Sequence, residues 1–467
     1  MARSLLKYVA TTAAAVLMAA TASAQGLIRD AEIEETIRNW TDPILEVAGL
    51  QPADVNLYII NDPSLNAFVA GGQNIHLHTG LIIAAENPEQ IKGVIGHETC
   101  HIACGHSVSR QKAASIASRP ALVSIGLGIL AIATGEGGAG AALIGSSQQF
   151  AALNFFVHTR SEEAMADSAS IEYLAALGES PRGIVEFFEN FRYQEVLSNA
   201  RRYPYFRSHP LASDRIRNAR QQAEETGLMD KPASEQTQYE YDMMRAKLIG
   251  FLETPNKVNR EYPPSDTSLA ARYAHAIAAM QASDITTSLK LIDTLIADEP
   301  DNPYFHELKS QVLFESGRTE ESIPPIQRAL ELKPNQPLLL IAYARSLNSR
   351  GLPDDIKTAE NALRDALVVE PNNGFAWAQL AINMEKQGRR GDAQLATAES
   401  AYSIGNIVQA NAFAGRAIKS LERGTPTYRR ADDILLITDP SNPDNRDYYR
   451  RAGQPGRLLL NGQTLKQ

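Results

Sequence analysis

Two histidines four residues apart, His97 and His101, enclose Glu98 in the pentapeptide HETCH. On a helix such a pair lies about 40° apart on one face, so both imidazoles can ligate a single Zn²⁺. Glu98 falls about 100° round the same helix, beside the metal, where a carboxylate can deprotonate a water. A surface helix with two solvated histidines would read the same, so a third ligand has to be found. A catalytic zinc takes three protein ligands and leaves one position open. The spacing that continues HExxH with a third histidine puts Ser107 at the required place, which excludes that class. A glutamate on a later helix is the alternative. Glu163 is the candidate; Glu162 would point elsewhere if Glu163 faces the metal. Asp167, one turn on, can accept a hydrogen bond from the far nitrogen of His97 or His101. His106 lies about 140° round from His101 and is expected to point away, as a structural residue near the helix end.

The elements that must position these groups follow from pattern. Asn87 reads as an N-cap and Pro88 as the first helical residue, with Gln90 placed to close a capping box. Residues 28–49 are periodic for a helix broken at Pro43 and ended by Gly49. VNLYII, NAFVAGG and NIHLHTGLII read as a small antiparallel sheet leading into the metal helix, with His76 and His78 as exposed strand histidines. Residues 120–135 are uncharged and too short to span a bilayer; 120–150 is expected to be an apolar flap or a peripheral membrane contact. FVHTRSEEAMADSASIEYLAALG reads as a long helix, with Ala164, Ala166 and Ala169 allowing close helix approach. A turn at His209-Pro210 precedes a polar amphipathic helix.

From about residue 265 the chain becomes helix after helix. Pro300 and Pro334 are 34 residues apart, as are Gly317 and Gly351, and Pro371 and Gly388 follow after a short insertion near Pro353. That period, with Gly between paired helices and Pro after the second, is the tetratricopeptide pattern. The segment 268–300 reads as a partial first repeat and 426–437 as a capping helix. The tail, 438–467, is expected to be extended or disordered.

The 467 residues exceed one domain, and the net charge of −9 without basic runs argues against nucleic acid as partner. Arg3 and Lys7, a short apolar run and Ala22-Ser23-Ala24 have the form of a signal peptide over 1–24, whose removal takes the charge from −9 to −11. No cysteine follows that site, so no lipid anchor is expected there. The chain's two cysteines, Cys100 and Cys104, both sit at the metal helix. Four residues apart on one helix they suit a disulfide poorly, so they are expected to be small buried fillers, with a metal-binding pair as the lesser alternative.

HExxH, then Glu163-Ala164-Met165-Ala166-Asp167, then Ser208-His209-Pro210 followed by Arg215, resembles the motif set of the peptidase family that contains HtpX and the CAAX prenyl proteases. The resemblance covers about residues 30 to 225, and the leader and repeats resemble its periplasmic branch. It implies one Zn²⁺ per chain on His97, His101 and Glu163, Glu98 as general base, and an edge strand at Asn66, Ala67 and Phe68 that holds an extended substrate. His209 would be either a transition-state donor or a reversible fourth ligand that shuts the site; Arg215 would steady a substrate carbonyl or pair near Asp214. The expected architecture is an α+β zincin-like metallopeptidase domain, 25–258, followed by an all-α tetratricopeptide solenoid, 265–437. The implied work is cleavage of misfolded or misassembled envelope proteins in the periplasm, with the repeats recruiting substrate or outer-membrane assembly machinery. The alternative is a chaperone or scaffold whose peptidase domain is inactive or self-inhibited.

Overall fold

A computed structural model describes residues 26–106, 160–197, 209, 213–452, 459–460 and 463–464. The leader at 1–24 and the apolar stretch at 120–150 lie outside the described residues. The described chain forms two compact units that divide between Ile249 and Gly250.

The first unit opens with strand β1 (Leu27–Ile28) and helix α1 (Ala31–Val47), which Asp30 caps by accepting from the Ile33 N–H. The helix runs on through Pro43 instead of breaking there. Ile44 and Leu45 are fully buried just beyond it and hold the last turn in place. Strands β2 (Asn56–Ile60), β3 (Ala67–Val69) and β4 (Asn74–His78) complete a sheet in the order β1-β2-β4-β3. The sheet is mixed, not antiparallel throughout. β4 inserts between β2 and β3, so the β3–β4 hairpin leaves β4 parallel to β2, with Ile59 opposite Leu77. The hairpin turns through Gly71 at φ +67°, a conformation that side chains resist. β3 pairs only with β4 among the described residues.

The short helix α2 (Thr79–Ala84) leads to α3 (Pro88–Ala103), which carries HETCH. Asn87 accepts from the Gln90 N–H, and the Gln90 side chain accepts from the Glu86 N–H, one residue upstream of a capping-box partner. Every residue from Pro88 to His101 is buried. Glycine makes that possible. A Cβ at Gly93 would lie 2.7 Å from the Ile184 nitrogen, and one at Gly96 2.7 Å from the Ser170 hydroxyl. Those neighbours belong to α4 (160–176) and α5 (Arg182–Leu197), which therefore lie against the metal helix at backbone distance. Helices α6 (Ser213–Glu225) and α7 (Glu235–Leu252) follow. Most of α7 belongs with α1: Trp40 donates to Glu240 at 2.8 Å, and Lys247 pairs with Asp30 at 2.8 Å.

The second unit is a series of helix pairs, among them Pro303–Glu315 with Thr319–Leu332 and Pro337–Arg350 with Pro353–Val369. Prolines stand at the first turn of several helices, where the missing N–H costs nothing. Gly351 ends its helix at φ +75°, the left-handed cap that explains glycine at the repeat spacing. The cores run continuously from one helix pair into the next, as stacked repeats require. The helix expected over 426–437 spans Pro426–Ile437. The tail differs from expectation: Arg446–Ala452 is helical and 459–460 pairs with 463–464. Asn445 donates to the Ile437 and Asp439 carbonyls, and Tyr449 to that of Thr438 at 2.7 Å, which ties the tail back.

Candidate metal centre

Four side chains from three parts of the first unit converge. His97 and His101 come from α3, Glu163 from α4, and His209 from the stretch before α6. His97 Nε2 lies 3.2 Å from His101 Nε2 and 3.3 Å from Glu163 Oε2; His101 Nε2 lies 3.6 Å from Glu163 Oε1. Ligands of one tetrahedral zinc, each ~2.0–2.1 Å from it, stand roughly 3.3 Å apart. Two imidazole nitrogens and a carboxylate are also the donor set that zinc favours, so the residues present fit the metal. Glu162 is buried too, but the oxygens that face the histidines belong to Glu163.

Glu98 and His209 complete the cluster. His209 Nδ1 is 2.8 Å from Glu163 Oε2 and 3.1 Å from His97 Nε2, while its Nε2 is 3.4 Å from Glu98 Oε1. Donor atoms of His97, Glu98, His101 and His209 all lie within 4.8 Å of one another. His209 is therefore one of the converging donors.

A second layer holds the ligands. Asp167 accepts from His97 Nδ1 at 3.0 Å, which leaves Nε2 its lone pair. Arg215 grips Asp167 with Nε and Nη2, both at 2.8 Å, and lies 3.4 Å from Glu163. Its guanidinium also covers the Phe188 ring at 5.3 Å. Arg215 is buried at 6 % exposure and pairs with Asp167 and Glu163, not with the neighbours of Asp214. Burial opposes charge on His97, but hydrogen bonds to Asp167 and Glu163 outweigh it and raise its pKa to about 9. For Glu163 burial acts the other way, and His209 and His97 outweigh it, keeping the carboxylate ionised far below its usual range. Asp167 behaves alike, held down mainly by Arg215 against its own burial.

Three sequence expectations need correction at this site. His106 does not point away: it is buried, and its Nδ1 meets His101 Nδ1 at 2.8 Å. The helix stops at Ala103 and the chain turns at Gly105 with φ +69°, so helical angles no longer apply to residue 106. That glycine was the available signal. Cys100 and Cys104 form a disulfide. Cys104 is the C-cap and not a helical residue, which brings the Cα atoms to 5.2 Å, inside the usual range for the bond. His78 is buried, with Nδ1 2.9 Å from the Ser64 hydroxyl, whereas His76 is half-buried between Tyr58 and Phe68 in a stack across three strands. Of the small residues on α4, Ala166 and Ala169 pack on Cys100, while Ala164 is exposed.

The candidate substrate strand lies close by. Asn66 is buried, Ala67 is fully buried and Phe68 is half-buried, and α3 packs against β3. The Asn66 carbonyl accepts from the His78 N–H at 3.0 Å, fixing the entry to the strand.

Comparison with known proteins gives a family to the segment that carries these residues. The profile of Peptidase family M48 matches residues 28–223, and a tetratricopeptide repeat profile matches 273–337. The β-barrel assembly-enhancing protease of Escherichia coli (strain K12) is 25 % identical over 421 residues, covering 87 % of this chain and 83 % of its own. That of Yersinia pestis is 24 % identical over 422 residues, with the same two coverages. Metalloprotease YcaL of Escherichia coli (strain K12) is 30 % identical over 175 residues, 36 % of this chain and 61 % of that protein. The chain thus carries a Peptidase family M48 domain followed by tetratricopeptide repeats, and is homologous to the β-barrel assembly-enhancing protease.

Proposed function

We propose that this protein is a zinc-dependent endopeptidase of the bacterial envelope that cleaves misfolded or misassembled envelope proteins. The observation that carries the reading is the convergence of His97, His101 and Glu163 with Glu98 beside them. Zinc, when bound there, polarises a substrate carbonyl and makes a water acidic enough to be deprotonated near neutral pH. His97, His101 and Glu163 hold it; Asp167 and Arg215 hold His97 and Glu163. Glu98 takes the proton of the attacking water and hands it to the leaving amine nitrogen, so the carbonyl carbon gains oxygen as the C–N bond breaks. The edge of β3 at Ala67 and Phe68, entered through Asn66 and unpaired among the described residues, can pair with an extended substrate segment. His209 lies among the donors, which supports it as a reversible occupant of the metal's open position and so as a restraint.

The biological setting rests on the relatives and on the N-terminal segment. The relatives' name speaks of β-barrel assembly, and residues 1–24 have the form of an export signal. Among the described residues no helix is long and apolar enough to cross a membrane. The repeats supply the surface for recruiting substrate or assembly partners. Glu98→Gln tests the chemistry. It should keep zinc, because the ligands remain, and lose casein or unfolded β-barrel cleavage by at least ~10². Substantial residual cleavage by the zinc-loaded variant rules out Glu98 as the base.

A further inference from the structure

The Cys100–Cys104 bond has no part in the chemistry above, yet it lies inside the motif. Cys100 separates Glu98 from His101 by sequence, and its side chain is fully buried against Ala166 and Ala169, which flank Asp167. Its partner Cys104 ends the helix and is reached by solvent. Gly105 then turns the chain, and His106 comes back buried with Nδ1 2.8 Å from His101 Nδ1. The two sulfurs and a His106 ring nitrogen lie within 4.8 Å of one another, so the bond and the imidazole share one small space.

The two ligand histidines are thus oriented differently. His97 leans on a carboxylate that Arg215 fixes. His101 leans on a second imidazole. For His101 to offer Nε2 as a lone pair, its Nδ1 must carry the proton and donate it to His106 Nδ1. His106 can accept only if the turn at Cys104-Gly105 holds its ring in that place.

We propose that His106 is a positioning residue for His101, and that the Cys100–Cys104 disulfide makes this positioning sensitive to redox state. The inference rests on the reading of His97, His101 and Glu163 as zinc ligands. A dithiol reductant can reach Cys104 by exchange. The S–S bond accepts two electrons and two protons and becomes two thiols, while the dithiol closes to its own disulfide. Among the described residues the turn then keeps the backbone bonds from the Cys104 N–H to the Cys100 and Ile102 carbonyls and from the Gly105 N–H to the Ile102 carbonyl. His106 is released from its fixed register, and His101 becomes a weaker ligand. Loss of such an outer partner costs about 10–100-fold in metal affinity.

The test measures zinc affinity of the full chain by chelator competition, oxidised and after reduction with a phosphine, which ligates zinc poorly. A cobalt-substituted sample reads ligand geometry in its visible spectrum. Reduction should lower affinity ~10-fold or more and shift the cobalt bands. Cys100→Ala/Cys104→Ala should match the reduced protein and ignore the phosphine. His106→Ala should lose as much, and His106→Gln should recover part, since an amide can still accept from His101. Reduction should then add little in the His106→Ala background, because both changes act through one contact. Equal affinity and spectra for the oxidised and reduced protein would overturn the proposal. So would a full effect of reduction without His106, or a gain of a second zinc on reduction, which would make the cysteines ligands. Failure of the oxidised protein to bind zinc at all would instead overturn the ligand assignment.

Discussion

Replacing Arg215 by methionine separates two roles for a residue at the edge of the metal centre. Methionine keeps an apolar stem near Phe188 and removes the guanidinium that Asp167 and Glu163 share. Arg215 and Asp167 are 6 % and 3 % exposed, so solvent compensates little for the loss. Removing one partner of a buried ion pair costs ~3–5 kcal/mol. For a domain of this size each kcal/mol moves the melting temperature by ~2–4 °C, giving a fall of about 6–20 °C. Asp167 then holds His97 less firmly, and zinc affinity should drop ~10–100-fold. Calorimetry of the catalytic-unit transition, chelator competition and peptide hydrolysis give the three readings. Adding Asp167→Asn should cost less than the sum of the two single changes, because it removes the charge that the first change strands. An Arg215→Met protein with unchanged melting and zinc affinity but a raised KM would refute this account and return Arg215 to the substrate.

Further expectations concern the other site groups. Glu163→Gln should weaken zinc retention at least ~10-fold, as a neutral amide is a poor ligand, while Glu162→Gln should not; the reverse result would shift the ligand by one residue. His209→Ala should raise peptide hydrolysis with zinc intact if the imidazole competes for the open position, and a loss of ~10² would make it a transition-state donor instead. Zinc affinity should rise with pH. His97 has its pKa raised from 6.5 to about 9, so its proton competes with the metal below that value. In the metal-free protein the same shift gives stability that is full below about 6.5 and lost as pH rises through about 9. A zinc affinity that is flat between pH 7 and 9, with no proton released in calorimetry, would contradict the proton on His97.

Local periodicity was enough to find much of this protein. HETCH on a capped helix fixes two imidazoles on one face because i and i+4 always meet there. The 34-residue spacing reports stacked helix pairs because each repeat touches only its neighbours. Other features depend on where a regular element ends or what lies across a contact. The angle rule misplaced His106, and made the cysteine pair look unfavourable, because α3 stops at Ala103. Exposure of His78 could not be read from alternation alone, since Ser64 and the loop before β3 cover it. β4 lies parallel to β2 because β3 folds back on β4's outer edge, a choice between neighbours that no single strand encodes. Arg215 was legible as a site residue but not as the partner of Asp167, 48 positions away. Types and spacing thus settled the donors available on each element. Only the packing of α3 on α4, and the pairing of Arg215 on α6 with Asp167, decided which donors meet, since buried charges must find partners across elements and the chain between them does not specify which.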